Sequence, residues 1–365
     1  MFSTFKSDDV TQGRSGKSAA ERLADVKSLM KSINKKEGSQ VLSMVDSEYE
    51  VERVSTGILP LDLILGGSVK TGFGFPKGKI IEVYGPEHAG KTSLMNALIA
   101  EVQRNGGLVL YVAGEDGMDP VYARKFGVKI DEVVFLHPEN AEKGFESIIS
   151  LIESGLFDLV VIDSVVSMIP MVVQDNDFEK REMGNMARLI TTFCGKAQSL
   201  VKKTGTTVIA INQLRDNITS YGGGTKTSGG RALKHYSAIR LELKNPGSER
   251  YTDPETKKDA GIYVTCYTKK NRHNTPFQTA KFPLLFETGI DKEANLFMTA
   301  KEIGVLTRKG AWYVFDEQQF QGETNFIKKL KNDPEFLAKL DLKVKLAFGG
   351  TQEQGETEEY EDEND

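Results

Sequence analysis

Residues 79–92 read Lys-Ile-Ile-Glu-Val-Tyr-Gly-Pro-Glu-His-Ala-Gly-Lys-Thr. The run Lys79–Tyr84 predicts a buried strand, Gly85 and Gly90 bound a tight loop, and a helix is expected to begin at about Lys91. That is the spacing G-x-x-x-x-G-K-[ST] between a strand and a helix. Glycines let backbone N–H groups point into one concavity, and the helix N-terminus adds partial positive charge. The expected ATP contacts are Gly85, Pro86, Glu87, His88, Ala89, Gly90, Lys91, Thr92 and Ser93. Lys91 is placed to reach the β- and γ-phosphates, and the Thr92 hydroxyl to ligate Mg²⁺.

Working outward, strand-like runs recur at Leu108–Val112, Val133–Leu136, Leu159–Asp163 and Thr207–Asn212, with helical patterns between them. Alternating β and α with continuously apolar strands implies an α/β fold, a mostly parallel sheet covered on both faces. In such sheets ligands bind beyond the carboxyl ends of the strands. Three strands end there in polar residues: Asp163, a second metal-side carboxylate; Glu115, placed to orient a water against the γ-phosphate; and Asn212-Gln213, where an amide can sense that phosphate. Leu214–Arg231 is a Gly/Ser/Thr-rich stretch with three bases, longer than a simple connector needs. Backbone amides, hydroxyls and cations suit a phosphodiester chain; the alternative is a solvated loop.

After Lys234 the pattern changes to strands at Ser237–Lys244, Ile262–Lys269 and Phe277–Phe286, expected as hairpins added to the sheet edge. Helical patterns at Lys292–Ile303, Asn325–Lys331 and Pro334–Phe348, with an apolar stretch Ala311–Phe315, indicate a small C-terminal α/β domain. Ahead of the core, Lys17–Lys36 forms an amphipathic helix with Leu23, Val26, Leu29, Met30 and Ile33 on one face. That stripe must pack on its own domain or on a neighbouring subunit. The expected divisions are 1–50, the N-terminal tail and amphipathic helix; 51–287, the core with the phosphate loop; 288–348, the small α/β domain; and 349–365, a disordered acidic tail.

The 365-residue chain carries a net charge of −5, with eight acids and no base between Gln352 and Asp365; without those eight charges the body is at +3. A flexible tail of this kind can compete with DNA for basic surface on the same molecule. Cys194 and Cys266 fit reduced core residues, and the four His lack ligand spacing, so no zinc is expected. The polar N-terminus has no signal-peptide centre and no apolar run is long enough to span a bilayer, so a cytoplasmic location without membrane contact is expected.

Taken together these residues resemble the RecA recombinase family. The match runs from Val54-Ser55-Thr56-Gly57 through the phosphate loop, Asp119-Pro120-Val121-Tyr122-Ala123-Arg124-Lys125 and Asp163-Ser164. It continues through Met183-Gly184, Ile211-Asn212-Gln213-Leu214-Arg215, Gly229-Gly230-Arg231-Ala232-Leu233-Lys234 and Gly310-Ala311-Trp312-Tyr313, covering most of positions 50–345. The resemblance implies a RecA-type P-loop ATPase core with an N-terminal helix that docks on the next subunit and a small C-terminal domain. It implies an ATP-dependent recombinase that forms filaments on single-stranded DNA, pairs it with homologous double-stranded DNA and exchanges strands in repair and the SOS response. Single-strand-binding and loader proteins are implied as further partners. A ring-shaped helicase motor and an ATP-gated DNA-coating protein are the alternatives on the same core.

By position, the resemblance makes Glu115 the residue that activates water, Tyr122 the ring that stacks on adenine with Asp119 nearby, and Gln213 the amide coupling γ-phosphate to DNA. Lys270 and Arg272 match two lysines that reach the neighbouring subunit's ATP, with Arg272 replacing a Lys. Arg188, Arg215, Ile218, Gly229 and Gly230 match single-strand contacts, with Met183 in the same region. Several positions depart from the family. Ala113 stands where an Asp is usual and His235 where a Phe plugs into the neighbour. Gly195 and Asn217 stand where bases are found, with Lys226 and Arg231 as compensating bases. The second, duplex site is thinly basic, with Lys244 and Lys269 its main candidates, and Pro170–Glu182 is unusually acidic.

Overall fold

In the computed structural model, the described residues are 18–37, 50–114, 117–168, 181–216, 225–228, 230–244, 249–253 and 257–355. Two compact units divide the chain after Glu50. In the first, helix α1 (Ala19–Glu37) opens with a reciprocal cap: the Glu21 N–H donates to Ser18 Oγ, and the Ser18 N–H donates to Glu21 Oε2 at 2.8 Å. Leu23, Val26 and Leu29 of its expected stripe are exposed within the chain.

The second unit is built on a ten-stranded sheet. A short helix α2 (Leu59–Leu65) precedes it. The elements then run β1 (Ile80–Gly85), α3 (Lys91–Arg104), β2 (Val109–Ala113), α4 (Pro120–Lys125), β3 (Val133–Leu136), α5 (Ala141–Glu153), β4 (Leu159–Asp163), α6 (Arg181–Thr204) and β5 (Thr207–Asp216). They continue with β6 (Thr225–Thr227), α7 (Ala232–Tyr236), β7 (Ile239–Lys244), β8 (Arg250–Thr252), β9 (Asp259–Asn271) and β10 (Thr279–Leu285). The main path is β8-β9-β7-β1-β5-β4-β2-β3, with β6 on β5 and β10 on β9. From β7 to β3 every pairing is parallel.

Strand parity sorts the core into two layers. Ile81, Val83, Val109, Tyr111, Leu159, Val161, Ile209 and Ile211 pack with Leu94, Met95 and Leu98 of α3. Ile80, Leu110, Val112, Val160, Ile162, Val208 and Ala210 pack with Phe145 and Ile148 of α5 and Ile190, Phe193 and Cys194 of α6. Both cysteines are buried and free, and burial pushes the Cys194 thiol up to about 12. Among the described residues no helix is long and apolar enough to cross a membrane.

Four features differ from the sequence expectation. The first strand after Lys234 is no edge hairpin. β7 lies parallel beside β1, because α7 carries the chain over one face and returns it in the same direction. Its alternation, with Ile239, Leu241 and Leu243 buried between Arg240 and Glu242, looks antiparallel only because polar groups occupy one face. The true antiparallel additions are β9, β8 and β10. Second, the Gly/Ser/Thr-rich stretch is not all loop: β5 extends to Asp216 and pairs with β6, Arg215 opposite Lys226. Residues 217–224 and Gly229 lie outside the described residues. Third, the C-terminal apolar stretch is one strand of three, β11 (Thr307–Lys309), β12 (Trp312–Phe315) and β13 (Gln318–Gln321), the outer two too polar to read as strands. Fourth, after α8 (Lys292–Glu302) and α9 (Gly322–Asn332), α10 (Pro334–Gly355) runs past Gly349, where a structureless tail was expected. Once a helix is nucleated on a packed face, each further residue costs little.

The C-terminal elements pack around Phe326, whose ring lies 5.3, 5.1 and 5.6 Å from those of Phe297, Phe320 and Phe336. Leu63 of α2 and Phe73 belong to the same cluster, so the C-terminal elements share a core with the segment that precedes the large sheet. Phe326 is fully buried, and replacing it with Ala is expected to remove about 3–5 kcal/mol of stability. Urea unfolding followed by tryptophan fluorescence of Trp312 checks this; a loss below about 1 kcal/mol would contradict the shared core.

Candidate functional site

The carboxyl ends of β1, β5, β4 and β2 meet along one sheet edge, and their register fixes which candidate residues are neighbours. Gly85 pairs with Gln213, and Ala113 with Asp163. The residue that opens the phosphate loop is therefore the cross-strand partner of the residue expected to sense the γ-phosphate.

The loop shape follows from two glycines. A Cβ on Gly85 would lie 2.4 Å from the Leu243 carbonyl oxygen, so only Gly lets β1 and β7 close at this point. Gly90 has φ +90°, a conformation L side chains rarely adopt, and caps the N-terminus of α3. Glu87 and His88 are exposed, Ala89 is buried and Pro86 lies between. The first turn of α3 has no acid, so its N–H groups and dipole face outward uncompensated by a side-chain carboxylate. Lys91 Nζ donates to the Gly85 and Pro86 carbonyls at 3.0 and 2.7 Å, folding the ammonium over the loop. Thr92 is exposed beside it and Ser93 is buried.

Ser93 Oγ lies 2.7 Å from Tyr122 Oη, joining α3 to α4. Asp119 does a structural job the sequence reading did not assign: its carboxylate accepts from the Val121 and Tyr122 N–H groups at 2.8 and 3.2 Å, capping α4 and fixing where Tyr122 begins its turn. Asp163 accepts from Tyr111 Oη at 2.8 Å. Tyr111 went unnoticed in the sequence because a Tyr within an apolar strand reads as core. Glu115 lies outside the described residues.

These donors fit a nucleotide with a divalent cation. A helix N-terminus free of acids, an ammonium over the loop and a Gly at positive φ suit phosphates. An exposed hydroxyl at Thr92 and an anchored carboxylate at Asp163 are hard oxygen ligands of the kind Mg²⁺ takes.

Lys270, at the end of β9, donates to the Lys234 and His235 carbonyls at 2.7 and 3.1 Å, and Arg272 to the His235 carbonyl at 3.1 Å. Both cations thus hold the end of α7, and His235 itself is exposed. Burial, with Arg272 and Arg240 nearby, pushes Lys270 down to about 8 against the opposing pull of Glu82.

The candidate DNA residues fall in two places. Arg188 is exposed on α6, and a Cβ on Gly230 would sit 3.0 Å from Ala187 Cβ, which brings the start of α7 against α6; Arg231 is exposed at that start. Met183 belongs to α6, Arg215 to β5 and Lys226 to β6. Ile218 and Gly229 lie outside the described residues. Lys244 and Lys269 stand elsewhere, each ammonium 5.2 Å from the Tyr267 ring centre, with Lys269 3.9 Å from Glu242.

Sequence reasoning missed Glu82 and Arg240. Glu82 is fully buried in β1 and takes the Arg240 Nε–H at 2.5 Å and an Asn212 Nδ2–H at 3.0 Å. A lone Glu inside the run Ile80–Val83 was the available signal.

A family model of the RecA N-terminal domain matches residues 24–291, and one of the RecA C-terminal domain matches residues 294–349. Protein RecA of Synechococcus elongatus is 39% identical over 312 residues, 83% of each chain. Protein RecA of Streptococcus pyogenes serotype M1 is 33% identical over 355 residues, 96% of this chain and 92% of its own. Protein RecA of Streptococcus gordonii is 34% identical over 346 residues, 94% and 88%.

Gly90→Ala tests the loop geometry. Its Cβ would meet Val264 Cγ2 at 3.3 Å, and its φ costs an L residue about 1–2 kcal/mol. An ATP analogue should bind the variant roughly tenfold more weakly by calorimetry. Unchanged affinity would show that the loop does not need this conformation.

Proposed function

The chain belongs to the RecA family of ATP-dependent DNA recombinases, and we propose that the work of that family is divided among its residues as follows. ATP lies on the loop from Gly85 to Ser93, with Lys91 leaving the loop carbonyls for the β- and γ-phosphates. The N-terminus of α3 adds fixed positive potential that needs no reorganisation. Mg²⁺, held by the Thr92 hydroxyl and through water by Asp163, would neutralise phosphate charge. Tyr111 holds the Asp163 carboxylate in place. Tyr122, tethered to Ser93, lies against the adenine, and Asp119 sets its position by capping α4. Glu115 takes a proton from the attacking water.

One observation carries the coupling to DNA: Gln213 is the register partner of Gly85, and its strand runs on to Asp216 in the hairpin with β6. A γ-phosphate that draws the Gln213 amide acts on a strand continuous with Arg215, which lies opposite Lys226. Together with Met183, Arg188, Ile218, Gly229, Gly230 and Arg231, these residues take the single strand mainly through its backbone, leaving the bases to read sequence by pairing. Lys244 and Lys269, around Tyr267, form the weaker duplex site. ATP binding stabilises the DNA-competent filament, and hydrolysis releases it. Lys270 and Arg272 complete the ATP site of the adjacent subunit by leaving the end of α7.

Glu115→Gln should keep ATP binding and slow turnover on single-stranded DNA by roughly a hundredfold or more, since an amide cannot accept the proton. Turnover at the parent rate would remove Glu115 from the mechanism.

The Lys270 assignment has a pH signature. Its lowered value means the ammonium is charged below about 8 and neutral above it. Before it leaves α7, Lys270 is therefore neutral above about 8, so the ATP concentration needed for half-maximal turnover on DNA should rise as pH rises through that value, and Lys270→Arg, which stays charged, should flatten the rise. A profile that Lys270→Arg leaves unaltered would count against a role for this cation.

A further inference from the structure

Across the middle of the sheet, on the face covered by α6 and α7, lies a transverse row of polar side chains. Glu82 of β1 is in register with Ala210 of β5 and Arg240 of β7, and Arg240 is in register with Lys270 of β9. The row is closed by Asn212, two residues beyond Ala210 and therefore on the same face. Glu82 and Asn212 are both fully buried.

Both polar atoms of the Asn212 side chain are engaged. One Nδ2–H goes to Glu82 Oε1 and the other to the Ser228 carbonyl, each at 3.0 Å. Its Oδ1 accepts the N–H of Gln213 at 2.9 Å. Ser228 follows β6, so one amide bonds the phosphate-loop strand, the residue facing Gly85 and the returning limb of the DNA hairpin. Glu82 is also fixed at its other oxygen by Arg240, whose guanidinium lies 4.7 Å from the Tyr84 ring centre. A carboxylate removed from water in the middle of a sheet is costly unless both oxygens are satisfied. That cost makes the row rigid.

We propose that Asn212 and Glu82 are positioning residues that convert nucleotide occupancy into DNA affinity, Asn212 acting as the clamp that makes both limbs of the hairpin move with Gln213. The inference rests on the reading of Gln213 and the hairpin given above. Gln213 supplies the contact with phosphate. Asn212 touches neither ligand, and acts by tying Gln213 to Ser228 and both to the strand beneath the loop.

Affinity for a fluorescent oligo(dT) with and without a non-hydrolysable ATP analogue, beside analogue affinity in the absence of DNA, tests this. The parent protein should bind the oligonucleotide far more tightly with the analogue; if it shows no gain, the underlying reading fails and the inference with it. Given a gain in the parent, Asn212→Ala should cut it roughly tenfold or more while analogue affinity without DNA stays within about threefold. Asn212→Leu keeps the size but bonds neither Glu82 nor Ser228, and should behave alike; if the Ala variant does not fold, the Leu variant decides. A full parental gain in the folded variant would overturn the clamp. So would equal losses of analogue binding and DNA binding, which are the mark of general destabilisation.

Discussion

Parallel pairing of β1 with β5 is the constraint on which the rest of the structure depends. It makes Gly85 and Gln213 neighbours at the carboxyl edge of the sheet, so a loop shaped for phosphate and a strand leading to the hairpin proposed to take DNA share a ladder of backbone hydrogen bonds. Neither end can shift along the strand direction without the other, because a slip of one residue would exchange the two apolar faces that α3 and α5–α6 cover.

Buried charge at the centre of this sheet marks where packing gives way to function. A sheet optimised for stability alone would carry an aliphatic side chain at position 82, between Ile81 and Val83. Glu82 is instead fully buried and held by Arg240 and Asn212. Such a group is weak evidence for stability and better evidence for a specified geometry. The same row includes Lys270, whose register partner is Arg240, so the cation proposed to reach a neighbouring ATP is built into the strand array that holds the subunit's own phosphate loop.

Much of this was legible in the chain. The phosphate loop, the alternating strands and helices, and β3 and β4 could be read directly, because continuous apolar runs bounded by Gly and polar ends have few other solutions. The edge beyond β1 was not. Ile239–Lys244 alternates like an edge strand, and only the three-dimensional path of α7 makes it parallel to β1. The polar strands β11 and β13 have no apolar period, and exist because Trp312–Phe315 lies between them. At the candidate site, Lys91 and Thr92 were singled out by the spacing of the loop, and Asp163 by its place at the end of an apolar strand. Tyr111, Glu82 and the capping role of Asp119 did not, since each depends on a partner distant in sequence or on a backbone turn. Asn212 was visible only as a polar strand end, because its partner Glu82 is 130 residues away.

The central claim is that nucleotide at the phosphate loop is felt along β5 and in the hairpin before any DNA is present. Hydrogen–deuterium exchange of the DNA-free protein with and without a non-hydrolysable ATP analogue tests it most directly. The account predicts slower exchange at Gln213–Asp216 and at Thr225–Ser228 as well as in the loop itself. Protection confined to the phosphate loop and α3, with β5 and β6 unchanged, would contradict it.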